Sequence, residues 1–373
     1  MIISALLLIL VLTEYLGNVG LIQLDVALAI KLALTLFALL FSFFRGKPRA
    51  IYMYLGLMLL LTLKTFLHPG TNWSLQIQES FKLLVYPIWL SLATTERANS
   101  DSMLFVLALL SGLIMIGVLP AGGIAYDLSI YESVGAGYVG IFQNAHAAGL
   151  SYVAAFGFSL YHFQMRKTKR HLFLTLLFGF FAFSSFVRTA WLPLLVIGLV
   201  PFVQAARKDV RKALLVIAVI CVAALWVLDN ELVLDRLLNR NKFSDAQGFE
   251  NLGSNRIMLW LTNIGIITDT SWTQVLWGFG REGAFENMNN AIGLSKVSHN
   301  LILDVLVREG VMGLILFLWA VKELVTMLWR SANRFGGVSC IAIIFSWMFF
   351  QGTNFFFFDV VLAMFTGHII QSK

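Results

Sequence analysis

The sequence is poor in charged residues and in cysteine. Only 13% of its 373 residues are charged, whereas 59% are hydrophobic, and the mean hydropathy is +0.81. A soluble domain of this length needs a charged surface, so the composition indicates an integral membrane protein. The two cysteines, Cys221 and Cys340, lie inside apolar runs. They give no sign of a disulfide framework and are expected to be small core residues.

Several motifs of nucleotide-dependent and metal-dependent enzymes are also missing. The chain has no P-loop, no Gly-x-Ser-x-Gly elbow, no Asp-x-Asp pair on the face expected to be outside, and no cysteine/histidine metal cluster. We therefore expect no cofactor and no metal ion in the reaction. The net charge of +7 resides in short loops between apolar runs, so it indicates membrane topology and no binding to nucleic acid.

Apolar runs long enough to span a membrane recur along the whole chain. We predict about twelve transmembrane helices, at 2–19, 21–43, 50–67, 76–94, 103–121, 138–162, 171–187, 189–204, 212–229, 300–321, 336–352 and 354–371. Because only Arg188 lies between the spans at 171–187 and 189–204, a total of eleven or thirteen spans is an alternative. The predicted fold class is an all-α polytopic membrane protein. We expect a single integral membrane domain over residues 1–373, with 230–298 as a partly helical insertion between the ninth and tenth spans.

The basic loops fix the predicted orientation. Arg45–Arg49, Arg166–Arg170 and Arg207–Lys212 follow the second, sixth and eighth spans, and Arg330 and Arg334 follow the tenth. All fall on one side of a twelve-span chain, which the positive-inside rule makes cytoplasmic. Both termini are then cytoplasmic.

The polar segment 230–298 falls on the opposite side and is too long for bare loop. Leu232–Leu238 and Asn255–Leu261 have apolar residues at helical spacing, which predicts helices lying on the outer leaflet. A peripheral cap without chemistry is the alternative interpretation of this segment.

Three candidate side chains meet this outer face. His299 stands at the start of the tenth span, where Ser298 or Asn300 can cap the helix, and histidine exchanges protons near neutral pH. Arg188 lies between two spans, and Arg256 begins a predicted surface helix whose N-terminus favours an anion. Arginine grips phosphate oxygens bidentately, so this set suits a lipid pyrophosphate with a base beside it. Taken singly, a helix cap, a snorkelling arginine and a solvated helix end are the ordinary alternatives.

Other polar residues are weaker candidates. Asn144 and His146 begin the sixth span and are candidates for a glycan or acceptor site, with a helix cap as the alternative. Asn300 and Glu309 on the tenth span are further candidates, although the depth of Glu309 favours a buried structural pair. Candidates for extending a basic pocket toward the lipid phosphates are Lys64, Glu79 and Lys82.

Five short motifs follow one another along the chain. They are Gly140–Gly149 (GIFQNAHAAG), Ser185–Ala190 (SFVRTA), Gly253–Arg256 (GSNR), Trp277–Gly280 (WGFG), and Ser298-His299-Asn300 with Glu309, Gly310 and Gly313 beyond it. In this order they resemble the bacterial O-antigen ligase and O-antigen polymerase family, over roughly residues 138–321.

The resemblance implies a GT-C-like fold in the bacterial inner membrane, with the active site facing the periplasm. It implies that Arg188 and Arg256 bind the pyrophosphate of an undecaprenyl-pyrophosphate-linked oligosaccharide. His299 would act on a sugar hydroxyl of an acceptor glycolipid, in a metal-independent reaction that inverts the anomeric centre. The implied partners are these two substrates, membrane lipids and a chain-length regulator protein.

The histidine motif departs from the family's ligases, which often carry His-x-His-Asn. This chain has Lys296-Val297-Ser298-His299-Asn300. The departure and the short chain favour a polymerase of O-antigen or exopolysaccharide repeat units over a ligase that joins the glycan to lipid A–core. A flippase of lipid-linked oligosaccharides, which needs basic residues deep in a central cavity, and a scaffold that docks partners on 230–298 are alternatives from other classes.

Overall fold

The structure, a computed structural model, describes most of the chain. The described residues are 2–43, 49–67, 73–94, 100–121, 137–142, 144–206, 211, 214, 218, 229, 256–293, 298, 300–350 and 356–371. Nearly all of the predicted ninth span, the segment Leu232–Leu238 and His299 lie outside them, as does Cys221.

Within the described residues every regular element is a helix, in agreement with the predicted all-α class. The helices are α1 (Ile2–Asn18), α2 (Leu24–Phe43), α3 (Arg49–Phe66), α4 (Trp73–Ala93), α5 (Asp101–Met115), α6 (Ala145–Arg166), α7 (Lys169–Ser184), α8 (Arg188–Ala206), α9 (Arg256–Thr268), α10 (Trp272–Trp277), α11 (Gly280–Ile292), α12 (Leu301–Trp329), α13 (Arg334–Phe350) and α14 (Phe356–Gln371).

All the predicted spans except the ninth contain one of these helices, and two boundaries differ from the prediction. The fifth span ends as a helix at Met115 and not at residue 121, since Gly117 takes a left-handed φ of 75°. The sixth begins at Ala145 and not at residue 138, because Asn144 caps the helix there and Gly140 has φ 56°. In both places apolar residues continue past the helix end as irregular chain.

Within the described residues, fewer helices than predicted are long and apolar enough to cross a membrane. Among the described residues, the stretches Leu24–Ser42 and Arg49–Phe66 are long and apolar enough to cross a membrane, and several other helices have shorter apolar stretches of 10–17 residues. Some helices in predicted spans are less apolar because they carry buried polar groups, such as Ser151, Ser159 and His162 in α6. The count of about twelve spans stays a prediction.

The helices group into two compact units. Unit one comprises Met1–Lys31, Asn99–Asp245 and Asn333–Ile343, and unit two comprises Leu32–Ala98, Ala246–Ala332 and Ile344–Lys373. The single membrane domain that the sequence analysis expects stays a prediction. The predicted insertion 230–298 supplies three short helices to unit two, α9, α10 and α11, while residues 230–255 lie outside the described part of the chain.

Unit one is built on a hairpin of α6 and α7, with α8 packed on both helices and α5 packed on α1 and α7. Lys167 closes α6 in a left-handed conformation, and the Thr168 hydroxyl accepts the His171 amide to start α7. A buried aromatic core lies between the helices. Tyr152 contacts Phe142, Phe178 and Phe181, and its hydroxyl lies 2.7 Å from Ser111 Oγ.

Unit two is organised around α12, which packs against α3, α9, α10, α11 and α14. Helix α4 packs in turn against α3 and α14. Hydrogen bonds between side chains cross these buried surfaces, from Tyr86 to Thr366 at 3.1 Å and from Trp89 to Thr35 at 3.2 Å. Burying these polar groups is favourable only because each finds a partner.

Helix α12 is kinked at Gly310, whose φ of 66° and ψ of −173° are not helical. The turn after α10 fits against the kink. Gly278 has φ 83°, and a Cβ on Gly310 would lie 2.5 Å from the Gly278 nitrogen. The Phe279 amide donates to the Val307 carbonyl at 3.0 Å, a group whose helical partner would lie four residues on, beyond the kink. The kink and the turn therefore depend on two glycines at once.

We expect Gly310→Ala to destabilise the protein by about 3 kcal/mol or more, because a side chain there is strained at positive φ and meets backbone atoms. Thermal unfolding in detergent measures the effect. The matched control is Gly265→Ala in α9, where nothing lies within 4 Å of an added Cβ. It should be neutral or stabilising by about 0.5–1 kcal/mol. Equal melting temperatures for the two variants would contradict this account of the kink.

Candidate functional site

The residues on both sides of His299 are held in place. Ser298 is fully buried; its amide and its hydroxyl donate to Asp304 Oδ1 at 2.9 and 2.7 Å. The Ser298 hydroxyl also accepts the Asn300 amide at 3.1 Å. Asn300 caps α12, since its Oδ1 accepts the amides of Ile302 and Leu303. Of the two caps that the sequence allows, the structure selects Asn300. The chain therefore enters and leaves position 299 through two fixed points.

Helix α9 connects to this segment through a tryptophan. Trp260 donates its indole N–H to the Ser298 carbonyl at 2.9 Å. Arg256, the first residue of α9, is half-buried and precedes Trp260 by four residues, so the two lie on the same helix face about one turn apart. Trp260 thus joins the helix that begins with Arg256 to Ser298, the residue before His299 in the sequence.

Glu309 and Lys64 form a pair inside unit two. The Lys64 ammonium lies 3.2 Å from Glu309 Oε2 and donates to the Trp277 carbonyl at 2.7 Å. The two side chains are 12% and 5% exposed. The ammonium thereby ties α3 to α12 and to the end of α10. This arrangement suits the structural pair that was the alternative for Glu309, whereas an open glycan site would leave the carboxylate available.

In unit one, the loop before Arg188 is shaped by close packing. Phe186 takes a left-handed φ of 53°, and the Ser185 hydroxyl accepts the Val187 amide at 3.4 Å. Gly149 of α6 faces this loop so closely that a Cβ would lie 2.7 Å from Ser185 Oγ and 3.1 Å from Ala190 Cβ. Arg188 is the first residue of α8, where helix N-termini favour anions. Its side chain lies outside the described residues.

The remaining candidates have less defined surroundings. Asn144 Oδ1 accepts the Ala147 amide at 2.9 Å and caps α6, while His146 is exposed in the first turn of that helix. Lys82 is exposed on α4, and the Glu79 side chain on the same helix lies outside the described residues. Asn144 therefore has the helix-capping role that was the alternative to a glycan or acceptor site.

Sequence reasoning missed one cluster of ionisable groups. Asp101 at the start of α5, His162 near the end of α6 and His171 near the start of α7 bring one ligand atom each within 4.8 Å of one another. Burial raises the pKa of the Asp101 carboxyl, but His162, Arg166 and His171 lower it by more, so that the pKa lies below its usual range. Asp101 lies 61 positions before His162, and His171 follows His162 by nine positions on the next helix, so no local motif signals the cluster.

The composition and the helices together indicate the class of protein. The chain is all-helical in its described residues and strongly apolar, and four of the described helices begin with an arginine, at Arg49, Arg188, Arg256 and Arg334. This is typical of a helical membrane protein whose polar groups gather at helix ends.

A comparison with protein families finds a match within the chain. Residues 173–318 match the family model described as O-antigen ligase, Wzy_C, so this part of the chain is similar to that family. Members of the family are integral membrane proteins that transfer lipid-linked glycans. The resemblance found in the sequence is therefore confirmed over these residues. A search of curated proteins finds no match to the chain.

The matched region contains Arg188, Arg256 and His299, and also Glu309, but it begins after Asn144, His146 and the residues of α3 and α4. The matched region thus covers the three main candidates, while the role of each stays a prediction.

Asp304 offers a test of how the histidine segment is held. Asp304→Asn keeps an Oδ1 acceptor for Ser298 and should retain most of the transfer activity. Asp304→Ala leaves two buried Ser298 donors without their acceptor, which costs about 1–3 kcal/mol, and activity should fall at least tenfold. Melting temperature and transfer rate of the purified variants measure both effects. If Asp304→Ala behaves like Asp304→Asn, Asp304 does not hold this segment.

Proposed function

We propose that this protein is a metal-independent, inverting glycosyltransferase that acts on undecaprenyl-pyrophosphate-linked glycans at the periplasmic face of the bacterial inner membrane. Its main role would be to polymerise O-antigen or exopolysaccharide repeat units, with a second lipid-linked repeat unit as the acceptor. Arg188 and Arg256 would bind the donor pyrophosphate, and His299 would act as the base.

The observation that carries the proposal is the hydrogen bond from Trp260 to the Ser298 carbonyl at 2.9 Å. It joins the helix that begins with Arg256 to the residue before His299. A cation for a leaving pyrophosphate and a base for an acceptor hydroxyl are the two groups that such a transfer needs near each other. The capped start of α12 and the Ser298–Asp304 bonds support a fixed geometry at this place.

The proposed reaction moves one proton and exchanges one bond. A ring nitrogen of His299 takes the proton of the acceptor hydroxyl, and the hydroxyl oxygen forms a bond to the anomeric carbon from the side opposite the pyrophosphate. The bond from the anomeric carbon to the pyrophosphate oxygen breaks, and undecaprenyl pyrophosphate leaves with the electron pair. Arginine stabilises the charge that develops on the leaving oxygens, and direct displacement inverts the anomeric centre.

Ligation to lipid A–core is a second candidate, because the matching family model is described as O-antigen ligase. The histidine motif Lys296-Val297-Ser298-His299-Asn300 favours the polymerase. The two activities differ only in the acceptor, so the proposed roles of the arginines and the histidine are the same in both.

We expect His299→Ala to lower the transfer rate by about 10²–10⁴-fold, the usual contribution of a general base, with donor binding largely intact. Arg256→Ala should weaken donor binding, and Arg256→Lys should only partly restore it, since lysine does not bind phosphate bidentately. The control variants are His368→Gln and Arg330→Ala. His368 lies in the last turn of α14 and Arg330 is exposed at the end of α12.

The measurement is the lipopolysaccharide ladder of cells that lack the gene and carry each variant. A single repeat unit on the core with His299→Ala supports a polymerase. Loss of all attached glycan, with polymer still present on undecaprenyl lipid, supports a ligase. A normal ladder with His299→Ala contradicts the proposed base. Purified protein incubated with lipid-linked substrates separates an enzyme from a flippase, which makes no glycosidic bond.

A further inference from the structure

A buried cluster of two imidazoles and one carboxylate lies where α5, α6 and α7 meet in unit one. Asp101 Oδ1 is 3.4 Å from His171 Nε2 and 3.8 Å from His162 Nε2. The side chains of His162 and His171 are 4% exposed and that of Asp101 is 14% exposed. Each residue comes from a different helix, so the cluster joins three helix ends.

The spacing of these atoms fits a tetrahedral metal ion. Two ligand atoms that each lie about 2.0–2.2 Å from a tetrahedral zinc ion are about 3.4 Å apart. The two measured distances are at or slightly above this value, and all three atoms fall within 4.8 Å of one another. The third pair, which lies within 4.8 Å, must close to about 3.4 Å for a tetrahedral ion to bind all three atoms, a change that small rotations of the two histidine side chains can supply.

The groups around the cluster orient its ligands. Thr168 Oγ1 contacts His171 Nδ1, which leaves Nε2 as the atom directed to the cluster. His171 Nε2 is buried and faces Asp101 Oδ1 at 3.4 Å, which is longer than a usual N–H···O hydrogen bond. Metal-binding histidines almost always have their second ring nitrogen engaged in this way. An ion at Nε2 would satisfy a nitrogen that is otherwise costly to bury.

The carboxylate is oriented by a different partner. Arg166 Nη1 lies 2.6 Å from Asp101 Oδ2, which leaves Oδ1 facing the two histidines. The Arg166 side chain is 49% exposed, so water screens much of its repulsion toward a cation. The carboxylate supplies one negative charge against the charge of the ion.

From this geometry we propose that Asp101, His162 and His171 bind a divalent first-row transition metal ion, with zinc as the best fit. Two imidazoles and one carboxylate suit zinc and disfavour magnesium and calcium, which prefer oxygen ligands. Water is the fourth ligand. The ion holds the start of α5 against the α6–α7 hairpin and is structural.

The position of the cluster separates it from the proposed chemistry. His162 lies 18 residues beyond Asn144, which is about 27 Å along α6 at 1.5 Å per residue. The basic segment Arg166–Arg170, which covers the end of α6 and the start of α7, is cytoplasmic in the predicted topology. A structural ion here leaves the proposed transfer reaction metal-independent.

The test is zinc binding by the full-length protein, purified in detergent with a tag that lacks histidine and stripped with a chelator. Wild type should bind about one zinc ion per chain with a Kd in the micromolar range or below. His162→Gln and His171→Gln should each weaken binding by more than the 10–100-fold typical of losing an outer-sphere group. The matched control, His368→Gln in α14, should bind as wild type does.

Two further measurements keep the outcome clear if a variant folds poorly. Zinc should raise the melting temperature of the stripped wild-type protein, and X-ray absorption of the zinc complex should detect two imidazole ligands. No stoichiometric zinc binding by wild type, or equal binding by all four proteins, overturns the proposal. Neither result bears on the glycan ladder, so this proposal and the proposed function fail separately.

Discussion

The close approach of backbone at glycine is the constraint on which each unit depends. In unit two, Gly278 and Gly310 bring the turn after α10 into the kink of α12, with no room for a side chain on either residue. In unit one, Gly149 lets α6 pack directly on the loop that precedes Arg188. Since a glycine fixes each contact, the turn after α10 and the loop before Arg188 are positioned by packing and not by loop length.

The buried polar groups complete this positioning. Lys64 bonds both Glu309 and the Trp277 carbonyl, next to the kink, and Asp304 holds Ser298 from within α12. In a poorly hydrated interior an unpaired polar group is costly, so each pair strongly favours a single arrangement of its helices. Charges inside apolar helices are functional candidates by default, but here Glu309 and Lys64 are satisfied by each other. Such pairing accounts for their burial without a role in chemistry.

Much of the helical fold follows from the sequence, because apolar runs and capping residues are local signals. Asn144 and Asn300 could be identified as caps, and the start of α9 at Arg256 agrees with the apolar spacing of Asn255–Leu261. Contacts between distant motifs could not be derived. The motif Trp277–Gly280 and the pair Glu309-Gly310 can each be recognised in the sequence. The sequence does not show that Gly278 and Gly310 bring the two motifs into backbone contact. Similarly, nothing local joins Asp101 to His162 and His171, since three helices must pack before the cluster exists.

Helix α6 connects the loop before Arg188 to the cluster of Asp101, His162 and His171, because one of these features lies at each of its ends. Its N-terminal end is small and tightly packed, with the Asn144 cap and Gly149 against the loop before Arg188. At its C-terminal end it carries His162 and is followed by a basic loop. Its 22 residues extend about 33 Å at 1.5 Å per residue, about the thickness of a bilayer core. A helix whose ends are anchored differently resists sliding or tilting. Metal or charge pairing at the C-terminal end of α6 would therefore stabilise the position of the loop before Arg188 at the other end without contact with a substrate.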